Sequence, residues 1–304
     1  MRRYIIPCNI AFSFKQTPDT FFVEEVGAFQ PAKKGRFAIL KVRKRALSTW
    51  ELLDILKPHT KQVGYAGLKD KHATTTQYVS FDSRDLGTIL QIKHPKIEFL
   101  EHFKSKTPLK MGDLLGNRFR IWLSGADAKR VAACMERLAK EGVPNYFGYQ
   151  RFGKDGLLRA KAFVQGDLHA DGRLAKMLTG IYQSHLFNAW LAHRIELGFG
   201  FLPGDVVRHR GKLFVARKEP KEGVVTGLLC GTKVLHAAGK AREIEALYDE
   251  PLLAKGDRRD AIVFPKEVEV KEGKGGVWLS FFLPKGSYAT ILLENLRGKE
   301  LKGA

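Results

Sequence analysis

Arg118-Phe119-Arg120-Ile121-Trp122-Leu123 sets Phe119, Ile121 and Leu123 in alternation with Arg118, Arg120 and Trp122, the pattern of a strand with one buried face. Just beyond it, Asp127 is placed to cap a helix that carries Val131, Met135 and Leu138 on one stripe. Gly142 and Pro144 end that helix, because glycine relieves the left-handed terminus and proline cannot continue the hydrogen-bond ladder. Toward the N-terminus, Phe21, Val23 and Glu25 fall on one face of an extended stretch, and Phe37 to Val42 reads as a second strand. Ser48-Thr49-Trp50-Glu51 is a capping box, opening a helix with Leu52, Leu53, Ile55 and Leu56 that stops before Pro58. From about Gly153 the texture changes. Residues 181–197 carry Tyr182, Leu186 and Trp190 at helical spacing, followed by Gly-rich short strands and a charged helix from Arg242 to Tyr248. Strand patterns return at Val268, Val270 and Val277 to Leu283, with a closing helix from about Ser287. The order of patterns is α+β, and strands near both chain ends predict one shared sheet around a middle insertion.

The chain has 304 residues, of which 44% are hydrophobic and 28% charged, an ordinary globular mixture that excludes disorder, collagen and coiled coil. Its 52 Lys and Arg against 32 Asp and Glu give a formal net charge of +20, which points to a polyanionic partner. No apolar run approaches the roughly 18–20 residues that cross a bilayer, and the start lacks an apolar leader core. A cytoplasmic location and no membrane partner are the expectation. No Cys-x-x-Cys knuckle, no His-Glu-x-x-His and no phosphate-binding Gly-x4-Gly-Lys loop occurs. Metal hydrolase and nucleotide triphosphatase readings therefore lose ground.

Two stretches carry candidate chemistry. In Gly64-Tyr65-Ala66-Gly67-Leu68-Lys69-Asp70-Lys71-His72-Ala73-Thr74-Thr75-Thr76-Gln77, two glycines three apart allow a tight backbone path, and polar residues crowd ahead of a strand. Asp70 lies between Lys69 and Lys71, whose positive charge favours an ionised carboxylate, a plausible nucleophile or base. The same Lys-Asp-Lys composition also suits a solvated surface loop. In Val143-Pro144-Asn145-Tyr146-Phe147-Gly148-Tyr149-Gln150-Arg151-Phe152-Gly153, aromatics interleave with an amide and an arginine. That mixture suits a surface where bases stack and phosphates pair, or an aromatic turn packed on the core.

Together these stretches resemble the TruD family of pseudouridine synthases, whose signatures are Gly-x-x-Gly-x-Lys-Asp-x-x-Ala-x-Thr-x-Gln and Asn-Tyr-Phe-Gly-x-Gln-Arg-Phe-Gly. Lys15, Phe21-x-Val23-x-Glu25, Gly116-Asn117-Arg118-Phe119, Ser184-x-x-Phe187-Asn188 and Phe282 to Thr290 match further positions in order. The resemblance implies that Asp70 is the catalytic aspartate and Lys15 a lysine paired with it. It implies that Phe119 stacks on the target base and that Asn117 lines the same pocket. Glu25, Gln77, Asn145 and Arg151 match signature positions of less defined role; Lys69 and Lys71 would help hold Asp70 deprotonated. For Glu25 a structural ion pair competes with a substrate role, and for Phe187 and Asn188 helix packing is favoured.

The implied fold is a pseudouridine-synthase-type catalytic domain with a mixed sheet, residues 1–153 plus 258–304, interrupted by an inserted α/β domain, 154–257. The implied reaction isomerises a uridine of tRNA, expected at position 13, with no metal and no other cofactor. A non-catalytic RNA-binding or RNA-folding protein using the same basic surface is the main rival. A nucleosidase, which would release uracil rather than retain it, is a weaker one. Oligomeric state is not legible in the sequence.

Overall fold

The structure, a computed structural model, describes residues 2–301. In chain order the first strands are β1 (Phe21–Gly27), β2 (Phe37–Arg45), β3 (Gly64–Tyr65), β4 (Thr74–Asp82), β5 (Ile97–Ser105), β6 (Leu114–Ser124) and β7 (Val143–Pro144). They are followed by β8 (Val206–His209), β9 (Lys212–Val215), β10 (Val224–Leu229), β11 (Asp257–Asp260), β12 (Ile262–Val263), β13 (Lys266–Gly273) and β14 (Gly276–Pro284). The helices are α1 (Thr49–Leu56), α2 (Leu86–Leu90), α3 (Ala128–Glu141), α4 (Tyr149–Phe152), α5 (Gly156–Gln165), α6 (Gly172–Glu196), α7 (Gly239–Ala246) and α8 (Ala289–Arg297).

The chain forms two compact units. One comprises residues 10–136 and 265–286, the other residues 2–9, 137–264 and 287–301. The first is built on an eight-stranded sheet of order β13-β14-β6-β1-β4-β2-β5, with β3 paired to β4. Only β1 and β4 run parallel in it, so the sheet is mixed, and strands from near both chain ends share it as the sequence predicts. The pleat is clean: in β6, Phe119, Ile121 and Leu123 are buried, while Arg118 and Arg120 are exposed and Trp122 half-exposed. Val268, read as part of a strand pattern, is 36% exposed on the edge strand β13, where a register shift between Lys266 and Glu269 breaks the alternation. α1 closes the inner face at one end. Leu52 and Leu56 pack there against Leu40, Val42 and Val79, after a capping box in which Ser48 Oγ accepts from Glu51 N–H and Glu51 Oε2 accepts from Ser48 N–H. Asp127 Oδ1 caps α3 as expected, accepting from Arg130 N–H at 2.8 Å.

The second unit holds a four-stranded sheet, β11-β10-β8-β9, and the short pair β12-β7. α5 packs on α6 through Ala160, Leu178 and Ile181, and α6 meets β10 through Leu186, Leu228 and Cys230. α6 begins nine residues earlier than the pattern from residue 181 indicates, because Leu174 and Leu178 find their apolar partners on α5 rather than in a continuous local stripe. α7 is likewise shifted, ending at Ala246.

The compact units meet at 9/10, 136/137, 264/265 and 286/287, whereas the expected domains meet at 153/154 and 257/258. Two non-local ties account for this. Val143–Pro144 pairs with Ile262–Val263, and Asn145 N–H donates to Ala261 O at 2.8 Å. The N-terminal segment straps onto α8, with Arg2 Nη1 2.7 Å from Glu294 Oε2 and Cys8 N–H donating to Asn295 O at 3.1 Å. Met1 and residues 302–304, which the expected domain includes, lie outside the described residues.

Candidate active site

The sheet register of the first unit decides which candidate residues share a face. Val23 pairs with Phe119 and Thr75, Phe119 with Phe281, and Thr75 with Lys44. One step along, Glu25 pairs with Asn117 and Asn117 with Leu283, while Gln77 pairs with Val42. Directly paired residues present their side chains on one side of a pleated sheet, so Glu25, Lys44, Thr75, Gln77, Asn117 and Phe119 line a single face. Loop 66–73 crosses over it.

Lys69 fixes that crossing. Its Nζ lies 2.6 Å from Glu25 Oε2, with both side chains 5% exposed or less. The second Glu25 oxygen accepts from Tyr78 N–H at 3.2 Å. A buried ion pair of this kind holds only when the remaining lone pairs are also satisfied. The Lys69 N–H donates to Thr49 Oγ1 at 2.8 Å, and that hydroxyl donates to Gln77 Oε1 at 2.9 Å. Gly67 permits the approach: a Cβ there would stand 2.9 Å from Lys69 Nζ and 3.2 Å from Glu25 Oε2. Gly64 does the same at the loop's base, where a Cβ would stand 2.5 Å from the Leu109 carbonyl oxygen.

With Lys69 drawn inward, Asp70 stands exposed to solvent. Among the described residues, its carboxylate meets Gln16 Nε2, 3.5 Å from Oδ2. Lys15 is the neighbour of that glutamine and is also exposed, but it forms no ion pair among the described residues. The expectation of a closed Lys15–Asp70 pair is therefore not met in this conformation. The flanking lysines also differ from expectation. Lys69 is engaged by Glu25, and Lys71 Nζ lies 2.7 Å from Glu51 Oε1. The Lys71 ammonium and the Ser48 N–H hold the Glu51 carboxyl down at about 2.

A cation that sequence reading missed lies beneath. Lys44 is 1% exposed and donates through Nζ to Leu47 O at 2.5 Å. Burial first, and then the Lys69 charge, lowers its pKa to about 8, against the opposing pull of Asp70 and Glu51. The signal was present: continuing the alternation Leu40, Val42 places Lys44 on the inward face. Thr49 gave no such signal, since its role is set by a loop twenty residues away.

Phe119 is 8% exposed and stacks on Phe281 at 5.4 Å, with Phe21 tilted against it at 6.1 Å. Among the described residues, buried Asn117 Oδ1 finds no hydrogen-bond donor and buried Gln77 Nε2 no acceptor. Glu25 and Gln77, at 1% and 0% exposure, act as the foundation of the loop rather than its surface.

Asn145 and Arg151 belong to the second unit, where both make side-chain hydrogen bonds within the protein. Asn145 Oδ1 accepts from Arg259 Nη2 at 2.7 Å, and the Asn145 carbonyl accepts from Arg259 Nε at 2.9 Å. That guanidinium lies 3.9 Å from the Phe147 ring centre. Asn188 clamps the Phe147 backbone from both sides, accepting from its N–H at 2.8 Å and donating to its carbonyl at 3.0 Å. Phe187 is fully buried and Arg151 Nε donates to Ser184 Oγ at 3.0 Å. No group of three metal-ligating side chains and no helix long and apolar enough to cross a membrane occurs among the described residues.

Residues 1–171 and 157–296 match the family model described as tRNA pseudouridine synthase D (TruD). The tRNA pseudouridine synthase D of a Nitratiruptor species is 38% identical, with 97% of each chain covered. That of Thermus thermophilus is 36% identical over 92% of this chain and 86% of its own. Among solved structures, the putative tRNA pseudouridine synthase D from Methanosarcina mazei superposes with a TM-score of 0.76, at 23% identity, covering 99% of this chain and 97% of that one. The fold is shared with it.

Proposed function

The chain belongs to the tRNA pseudouridine synthase D (TruD) family and is a tRNA pseudouridine synthase, and from that premise we propose that Asp70 carries its reaction at the uridine of position 13. The observation that supports Asp70 most directly is its setting. It is the exposed carboxylate of a loop whose preceding residue is locked from three sides, by Glu25, Thr49 and, through Thr49, Gln77. A reacting group held on so rigid a base loses little entropy when it meets its target.

Isomerisation breaks the N1–C1′ bond, turns the uracil and forms C5–C1′; the C5 proton leaves and N1 gains one. No electrons are gained or lost overall, so the chemistry calls for no redox cofactor. Asp70 is the carboxylate that promotes N1–C1′ cleavage, and it is returned unchanged once C5–C1′ has formed. Gln16 Nε2, 3.5 Å from Asp70 Oδ2, and the buried Lys44 ammonium are the polar and cationic groups the chain sets around that loop. Phe119 and its Phe281 and Phe21 partners offer the aromatic surface for the flipped base. The unengaged Asn117 Oδ1 is an acceptor suited to the uracil N3–H. Asn145 and Arg151 shape the second unit, and the +20 charge supplies attraction for tRNA phosphates. The enzyme acts in the cytoplasm, where tRNA is modified. A purely RNA-binding role is disfavoured by the full-length match to synthases.

Asp70→Asn is the test. The variant is expected to melt within about a degree of wild type, since Asp70 is exposed, yet to form no pseudouridine in excess enzyme. Turnover by Asp70→Asn at a rate near wild type would remove Asp70 from the mechanism.

A further inference from the structure

The first turn of α1 lies along the catalytic loop through three contacts. Trp50 meets Tyr65 edge-on at 5.9 Å, Thr49 Oγ1 accepts from Lys69 N–H at 2.8 Å, and Glu51 Oε1 accepts from Lys71 Nζ at 2.7 Å. On the outer side of this seam two large apolar side chains stay open to solvent. Trp50 is 50% exposed and Leu68 is 53% exposed. They flank the same Thr49–Lys69 hydrogen bond, one from the helix and one from the loop, and Asp70 follows Leu68 by two residues.

Single exposed apolar residues need no explanation, but a tryptophan and a leucine that each adjoin one hydrogen bond, the leucine two residues before a reacting carboxylate, do. Neither is used by the core, and neither is fixed by the signature, which leaves Leu68 as an open position and does not extend to Trp50. We infer that Trp50 and Leu68 form an apolar shelf that stacks an unpaired nucleobase of the RNA next to the flipped uridine. This rests on the pseudouridine synthase reading and deepens it, by naming where the flanking nucleotide is read.

The chemistry commits the shelf to a base rather than to a protein side chain. Extruding a uridine strips a stacking partner from the bases on either side of it, leaving an exposed π-face at that point. An indole held by Tyr65 and by the capping box beneath it is already oriented, so stacking costs little ordering. The chain is strongly cationic, and the exposed ammonium of Lys71, shared with Glu51, stands on the same seam for the flanking phosphate. Trp50 and Leu68 are thus specificity-determining residues; the reaction itself stays with Asp70.

The test uses an unmodified tRNA transcript and two versions carrying an abasic nucleotide immediately 5′ or 3′ of the target uridine. Trp50→Ala is expected to raise KM about tenfold on the intact transcript with kcat within about twofold, as loss of one stacked base requires. Leu68→Ser should give a smaller rise, and Trp50→Phe should restore most of the loss. On one of the abasic transcripts wild type should fall to the level of Trp50→Ala, and the substitution should then have no further effect. Binding is measured in parallel by comparing Asp70→Asn with Asp70→Asn/Trp50→Ala, so that the shelf is tested without turnover. A KM and Kd unchanged by Trp50→Ala, or a penalty equally large on both abasic transcripts, would overturn the shelf. Loss of wild-type turnover with the Kd difference intact would instead count against the reaction and leave the shelf standing.

Discussion

Lys44 shows how one residue ties stability to function. Its ammonium is buried beside a second lysine, so folding must hold a charge where water would hold it better. The folded pKa of about 8 lies below the unfolded value of about 10.4. The unfolded chain therefore binds more protons between those two values, and this group's contribution to stability rises with pH across that window. Below pH 8 its burial penalty is fully present. Lys44→Met should accordingly stabilise the protein at pH 7 by about 1–2 kcal/mol, with the gain shrinking as pH rises from about 8 and vanishing above about 10.5. The same variant should lose activity at neutral pH, because a positive charge near Asp70 has been removed. Chemical denaturation at about pH 7 and about pH 10.5, with turnover measured alongside, checks both halves. A variant less stable than wild type at the lower pH would show that the Leu47 contact outweighs the desolvation of the ammonium.

At the scale of elements, loop 66–73 and the sheet face beneath it behave as one device. The Glu25–Lys69 pair joins β1 to the loop, and Thr49 joins α1 to both the loop and β4. Removing one partner leaves a charge buried alone. Glu25→Gln or Lys69→Met should each cost about 3–5 kcal/mol and depress kcat. The double variant should recover much of the stability without the activity, since packing returns but the loop loses its anchor. Urea midpoints of the three variants measure this, and single variants within about 1 kcal/mol of wild type would mean that the pair does not hold the loop. Much of this device was legible beforehand. Alternation put Phe119 on the buried side of its strand and Glu25 on one face with Phe21 and Val23, and the capping box located the start of α1. What was not legible is the use made of the charges. A Lys-Asp-Lys sequence places cations next to Asp70 along the chain, but carboxylates distant in sequence claim both of them, Glu25 taking Lys69 and Glu51 taking Lys71. The signature amide Asn145 likewise reads as a ligand for RNA until Arg259, far along the chain, is found bonded to it.

At the scale of the whole molecule, the order of patterns was enough to predict one sheet drawn from near both ends of the chain, the family resemblance implied that it is mixed, and the register from β13 to β5 bears both out. The unit boundaries were not readable, because short-range texture carries no trace of the β7–β12 pairing or of the Arg2–Glu294 strap. The excess of cations spread over the chain has a consequence of its own. Phosphate pairing is driven by counterion release, so KM for tRNA should climb at least tenfold between about 50 and 200 mM salt with kcat little changed; a flat KM would remove electrostatics from substrate capture. The central claim is that one carboxylate, Asp70, isomerises one uridine. Pseudouridine mapping of an unmodified tRNA transcript incubated with wild type or with Asp70→Asn tests it most directly. A single new pseudouridine, at position 13 and made by wild type alone, is the predicted result. Pseudouridine formed equally by both proteins would contradict the account.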